Sequence, residues 1–212
     1  ENNTLPHAFI FYGPEGSGKE GHAIEFSALL NSNNEINYKD KMKKFQHPNM
    51  NLIIPFPREK TIQKKSEALS AISDKSLNLL IEMKVDKMKN PYNKINFDKA
   101  SSILINSIRD IKKNIHTTFN PGTGYMVHMI FEAEKLCYPK TEPGNALLKI
   151  LEEPPKKTIF ILVTSEKNKL LNTIKSRCCD FYFPKLTKSE IIHYLKTHNE
   201  YDNKEIDLII KL

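Results

Sequence analysis

The chain has 212 residues, 39% of them hydrophobic and 27% charged. That balance suits a globular protein with room for one α/β domain and the start of a second element. No run approaches the ~20 apolar residues of a membrane helix, and Glu1-Asn2-Asn3-Thr4 has neither the charged nor the apolar part of a signal peptide. Three cysteines, two of them adjacent (Cys178 and Cys179), argue against a disulfide framework and fit a reducing cytoplasm; the net charge of +7 permits an anionic partner such as nucleic acid and equally fits lysines spread over a solvated surface.

His7 to Tyr12 is an apolar run closed by Gly13 and reads as a buried strand. The glycine-rich stretch Gly13 to Gly18 follows, and Ala23, Ile24, Ala28 and Leu29 then predict a helix over about 19–31. Asn51 to Phe56 is a second strand, bounded by Pro55 and Pro57. Residues 56–98 read as a lysine-rich insertion, with Leu69, Ile72, Leu79, Leu80 and Met83 suggesting one helix. Leu104, Ile108, Ile111 and Ile115 mark an amphipathic helix, and Asn120 to Gly124 breaks the chain. Tyr125 to Ile130 is a strand. Ala146, Leu147, Ile150 and Leu151 form the stripe of a helix stopped by Pro154-Pro155. Thr158 to Val163 is a strand, Leu170, Leu171 and Ile174 suggest a short helix, and Asp180 to Phe183 is a last strand. From Leu186 the pattern is helical, with Thr187 as N-cap and Ile191, Ile192 and Leu195 as the apolar face.

Five strands alternating with helices predict a mostly parallel sheet covered on both faces over 1–185, followed by the start of a small helical domain over 186–212. The absent initiator Met and an end at Leu212 inside an apolar-periodic run suggest a piece of a longer chain.

Gly13-Pro-Glu-Gly-Ser-Gly18-Lys19 fits G-x-x-x-x-G-K between a strand and a helix, the pattern of a phosphate loop. Gly13, Gly16 and Gly18 let backbone N–H groups turn toward an anion at a helix N-terminus, and Lys19 is placed for outer phosphates. A Ser or Thr hydroxyl should follow and ligate magnesium; Glu20 stands there. At ~4 Å and an effective dielectric of ~20, a carboxylate beside phosphate costs about 4 kcal/mol before relaxation. The strand ending at Ile130 should continue Asp-Glu, the Asp for magnesium and the Glu for the attacking water. It continues Phe131-Glu132-Ala133-Glu134, and Phe131 has no ligating oxygen. Hydrolysis then requires Glu132 or Glu134 to move in and hold the ion. The loop's N–H donors still suit a phosphate or sulfate.

His7 to Lys19, Glu132-Ala-Glu-Lys135, Asn145-Ala-Leu-Leu-Lys-Ile-Leu-Glu-Glu-Pro-Pro155, Thr158 to Ser165 and Ser176-Arg-Cys178 together resemble the bacterial clamp-loader subunits of DNA polymerase III, which are AAA+ proteins. The likeness spans most of the chain except about 56–95. It implies an AAA+ P-loop domain followed by a helical lid. Within the family the chain is more similar to the delta prime type, a stator without a working ATP site, than to the ATP-hydrolysing gamma/tau type. Glu20, Phe131 and the lack of any cysteine between Asn31 and His47, where gamma/tau carries a four-cysteine zinc module, all favour that side. His47 alone reads as a loop residue, so no metal site is expected.

The resemblance implies that Arg177 of Ser-Arg-Cys serves in trans as an arginine finger on a neighbouring subunit's ATP, worth about 10³–10⁵ in rate; a plain structural reading makes it a cap on the preceding short helix. Thr164 matches a γ-phosphate-sensing position and is expected here to hydrogen-bond at the strand end. The helix from Asn145 to Pro155 matches one that faces the central chamber in the family, where Lys149 could contact DNA phosphates, with a solvated lysine as the default; Thr141 to Gly144 departs from the usual lead-in to that helix. Cys179 is expected to be a buried strand residue. The implied partners are gamma/tau and delta subunits, the sliding clamp and, through the assembly, primer-template DNA, at no membrane. The expected role is an accessory subunit with no ATPase activity or cofactor of its own. Alternatives are an active clamp-loader ATPase with unusual metal ligands and a P-loop nucleotide kinase or small NTPase; the last lacks an arginine-bearing lid.

Overall fold

The computed structural model describes residues 5–31, 44–114 and 124–197. Five strands, β1 (Ala8–Tyr12), β2 (Met50–Ile53), β3 (Met126–Ile130), β4 (Thr158–Thr164) and β5 (Cys179–Tyr182), form one sheet in the order β2-β3-β4-β1-β5. Every pairing is parallel. The helices are α1 (Lys19–Leu30), α2 (Asp74–Lys89), α3 (Ile105–Asn114), α4 (Glu142–Glu152), α5 (Asn172–Lys175) and α6 (Lys188–Thr197).

Side chains alternate across each strand, so β1 sends Ala8 and Ile10 to one face and Phe9 and Phe11 to the other. On the first face they join Ile108 and Ile111 of α3, Leu147, Ile150 and Leu151 of α4 and Ile174 of α5. On the second they join Ala23 and Ile24 of α1 and Leu80 of α2, with Phe56, Ile72, Ile95 and Phe97 from the flanking turns. All seven residues of β4 are buried, as the centre of a sheet covered on both sides requires. Each such Ile, Leu or Phe contributes about 1.5–3 kcal/mol.

The stretch read as an insertion is therefore core: it covers one face of the sheet beside α1. It holds a short 3₁₀ turn, Ala68–Ala71, and α2, which Ser73 caps by accepting the Ser76 N–H at 3.3 Å. Of the five apolar residues assigned to its helix, Ile72 and Leu80 are buried, but Leu69 and Leu79 are exposed. The inward face of α2 runs Ser76, Leu80, Lys87, with half-buried Met83 packed on the same core, so a polar residue and a charged one interrupt the expected apolar stripe. Ladder pairing in β2 stops at Ile53, since Pro55 has no N–H to donate, although Ile54 and Phe56 stay buried. β5 begins one residue earlier than expected and is exposed throughout, because it is the sheet edge. Cys179 is accordingly exposed, against the expectation of a buried strand residue.

α4 starts cleanly at Glu142. Pro143 lies in its first turn, where no N–H is needed, and the Asn145 N–H reaches the Thr141 carbonyl at 2.9 Å. Thr187 caps α6 in a reciprocal box: its Oγ1 accepts from the Glu190 N–H at 3.3 Å, and its own N–H donates to Glu190 Oε2 at 2.7 Å. Ile115, most of the break before Gly124, most of the cysteine-free segment after Asn31, and residues 198–212 of the expected helical domain lie outside the described residues. Among the described residues no helix is long and apolar enough to cross a membrane.

Candidate functional site

The register places Tyr12 beside Thr164 and Ile130 beside Leu162, so the chain leaves β1, β3 and β4 at one edge of the sheet. In open parallel sheets the crevice beyond these carboxyl ends is where ligands bind. Here it holds the loop 13–18, residues 131–134 and Thr164, around a cavity of about 230 Å³.

The loop turns because glycine allows it. A Cβ on Gly13 would fall 2.0 Å from the Phe183 carbonyl oxygen, and Gly18, the residue before α1, has φ +76°. Lys19 is turned into the loop rather than out of it. Its Nζ donates to the carbonyls of Gly13 at 2.9 Å and Pro14 at 2.5 Å and to Ser17 Oγ at 3.2 Å. An ammonium has three N–H bonds, and all three are used. Burial lowers the Lys19 pKa, and Glu20 opposes that shift.

Glu20 and Phe131, 111 positions apart in the chain, meet the same side chain. Lys87 of α2 donates to Glu20 Oε2 at 2.5 Å and to the carbonyls of Pro91 at 3.0 Å and Asn93 at 2.7 Å. Its Nζ also lies 5.2 Å from the centre of the Phe131 ring. The Lys87 side chain has no exposed surface. Burial lowers its pKa, and the Glu20 carboxylate counters this. These residues do not fit magnesium: one carboxylate oxygen is bound to an ammonium and the other position is a phenyl ring. The two flanking carboxylates are also engaged. Glu132 pairs with Lys135 at 2.7 Å, and Glu134, its pKa raised by burial, accepts from Thr164 Oγ1 at 2.5 Å. Thr164 Oγ1 in turn accepts the Glu166 N–H at 3.0 Å, the strand-end hydrogen bonding expected of it.

Two more residues after α2 reach the loop, and neither they nor Lys87 were singled out from sequence. The Tyr92 ring lies over the start of α1, 2.9 Å from where a Cβ on Gly21 would sit and 3.2 Å from one on Gly18. Lys94 pairs with Glu15 at 3.2 Å. The spacing did carry a signal: Lys87 lies seven residues after Leu80, on the same helix face.

Arg177 stands apart from this pocket, just past α5. Its Nη1 donates to the Thr173 carbonyl at 2.9 Å, the capping contact of the structural reading, and its Nη2 pairs with Glu152 at 3.1 Å. Its side chain is 36% exposed. Burial, then Asp180, pushes the Cys178 thiol up to about 12, so it is not a thiolate at neutral pH. His47 is buried, and its Nδ1 accepts the Asn49 N–H at 3.1 Å. Lys149, exposed on α4, lines a shallow groove with Arg109 and Lys112 of α3.

The family model described as DNA polymerase III, delta subunit, matches residues 1–187. The chain is 31% identical over 186 residues to the DNA polymerase III subunit tau of Bacillus subtilis, covering 88% of this chain and 26% of that one. It is 38% identical over 107 residues to the subunit delta' of Buchnera aphidicola, covering 50% of this chain and 31% of that one. The chain thus spans about a third or less of these relatives. A solved DNA polymerase III gamma subunit-related protein of Thermotoga maritima shares the fold, with a TM-score of 0.53 and 16% identity over 99% of this chain and 54% of that one. With the strand order, the phosphate-loop pattern and a match over most of its length, the chain belongs to the DNA polymerase III delta subunit family of bacterial AAA+ clamp-loader proteins.

Proposed function

We propose that this chain is the stator of its clamp loader, of delta prime type: a subunit that does not hydrolyse ATP and offers Arg177 to the ATP of a neighbouring subunit. The observation that carries this reading is the fate of Glu20, whose carboxylate oxygen is held by the Lys87 ammonium at 2.5 Å while Phe131 fills the second metal position. A divalent ion there would have to displace a buried cation before it found an oxygen ligand. The exposed guanidinium of Arg177 supports the second half. Its bonds to Thr173 and Glu152 lie at the surface, and an exposed ion pair is worth only ~0–1 kcal/mol, so exchanging it for a phosphoryl group costs little. The partners would be gamma/tau and delta subunits, the sliding clamp and primer-template DNA.

Similarity to tau proteins favours a second reading, an active ATPase. Titrating the protein with ATP and magnesium separates the two. The stator reading expects neither micromolar binding nor turnover, and micromolar binding with turnover would overturn it.

A further inference from the structure

Three contacts from one short segment converge on the phosphate loop. Lys87 grips Glu20, Tyr92 covers the first turn of α1 at Gly18 and Gly21, and Lys94 pairs with Glu15. All three come from residues 87–94, the end of α2 and the turn after it, which a phosphate loop does not itself require. Both departures from the metal-binding pattern face a single ammonium, whereas independent losses would give Glu20 and Phe131 no reason to share a partner.

We propose that Lys87 is the built-in cation of this loop, standing in for the divalent ion, and that residues 87–94 strap the loop closed without nucleotide or metal. The proposal rests on the reading that this chain does not turn over ATP. Magnesium requires about six oxygen ligands in octahedral array at about 2.1 Å. An ammonium needs three acceptors and tolerates an aromatic face. Glu20 and the carbonyls of Pro91 and Asn93 are the three acceptors, and Phe131 is the face. A hydroxyl at position 20 and a carboxylate at 131 suit the metal; a carboxylate at 20 and a phenyl at 131 suit the lysine. The exchange leaves the site one positive charge poorer, so it attracts a polyphosphate less.

The test compares two variants of the chain, each checked for folding by circular dichroism. E20T/F131D restores the metal-type residues but keeps Lys87; E20T/F131D/K87M also removes the ammonium. Binding of a fluorescent ATP analogue is measured with and without magnesium. The first variant is expected to gain nothing over the unaltered protein, since Lys87 pairs with the introduced carboxylate. The second is expected to bind at least about tenfold more tightly than the first, and only with magnesium. Equal binding by both, or a folded triple variant that gains nothing, overturns the role given to Lys87. In the unaltered protein, lysine acetylation read by mass spectrometry should modify Lys87 at least about tenfold more slowly than exposed Lys89, with or without magnesium. Faster labelling of Lys87 on adding magnesium also overturns it. Turnover by the unaltered protein with Lys87 still protected would overturn only the stator reading.

Discussion

Glu20→Thr returns a metal-type hydroxyl to the loop and should destabilise the protein rather than repair it. The substitution removes the charged partner of Lys87, whose side chain has no contact with solvent. Breaking a buried ion pair from one side costs about 3–5 kcal/mol. Lys87 keeps the Pro91 and Asn93 carbonyls, so the low end applies, about 3 kcal/mol. For a domain of this size that lowers Tm by about 6–12 °C. Lys87→Met preserves volume and leaves Glu20 partly open to water, so it should cost about 1–2 kcal/mol, mainly from the two abandoned carbonyls. The double variant leaves no charge unpaired and should be more stable than Glu20→Thr alone, giving a coupling of about 2 kcal/mol or more. Urea unfolding followed by circular dichroism at pH 7 measures all three, and the coupling should persist in 1 M salt, which screens surface pairs but not this one. Effects that add within about 0.5 kcal/mol would refute the argument, since Lys87 and Glu20 would then not depend on each other.

Three further outcomes follow from other parts of the molecule. His128 is fully buried in β3, stacked on Phe160, with no hydrogen-bond partner for Nε2 among the described residues; burial holds its pKa near 4 against an ordinary 6.5. The unfolded chain therefore takes a proton before the folded one does, and stability should fall by about 3 kcal/mol as pH drops from 6.5 to 4, a slope that His128→Leu flattens in unfolding titrations. Arg177→Ala should change stability by under about 1 kcal/mol in urea unfolding, yet cut the ATPase of a reconstituted loader by at least about a hundredfold; unchanged ATPase would make Arg177 a helix cap only. Gly13→Ala drives a Cβ into the Phe183 carbonyl and should cost about 3 kcal/mol or more, whereas Gly16→Ala meets open space and pays mainly for its positive φ, about 1 kcal/mol; thermal melts of the two should rank in that order.

The sheet was legible because its strands are short, uninterrupted apolar runs, and a strand buried on both faces leaves that mark whatever surrounds it. Phe9 to Phe11 and Ile159 to Val163 needed no tertiary information. The loop was legible for the same local reason, its glycines being required by backbone geometry. What could not be read was α2's inward face. A lysine counts against burial until its partner is known, and the partner here is Glu20, 67 positions away. The direction of Lys19 was likewise hidden, since its acceptors are backbone carbonyls, which every sequence has. Cys179 was misjudged because strand composition does not tell an edge from a centre; among the described residues no strand lies beyond β5, and that decides it.

The strand order also sets a schedule for the chain as it is made. β1 lies between β4 and β5, and Ala8 pairs with Phe160, about 150 residues later. At ~5–20 residues per second, β1 waits about 8–30 s on the ribosome for its first neighbour. During that interval Ala8 to Tyr12 is an apolar, uncharged segment with free edges on both sides, the kind that pairs with copies of itself. The loop anchored to its end acquires its final shape only when β4 arrives. The loop that follows β1 thus takes its shape about 150 residues after it is made.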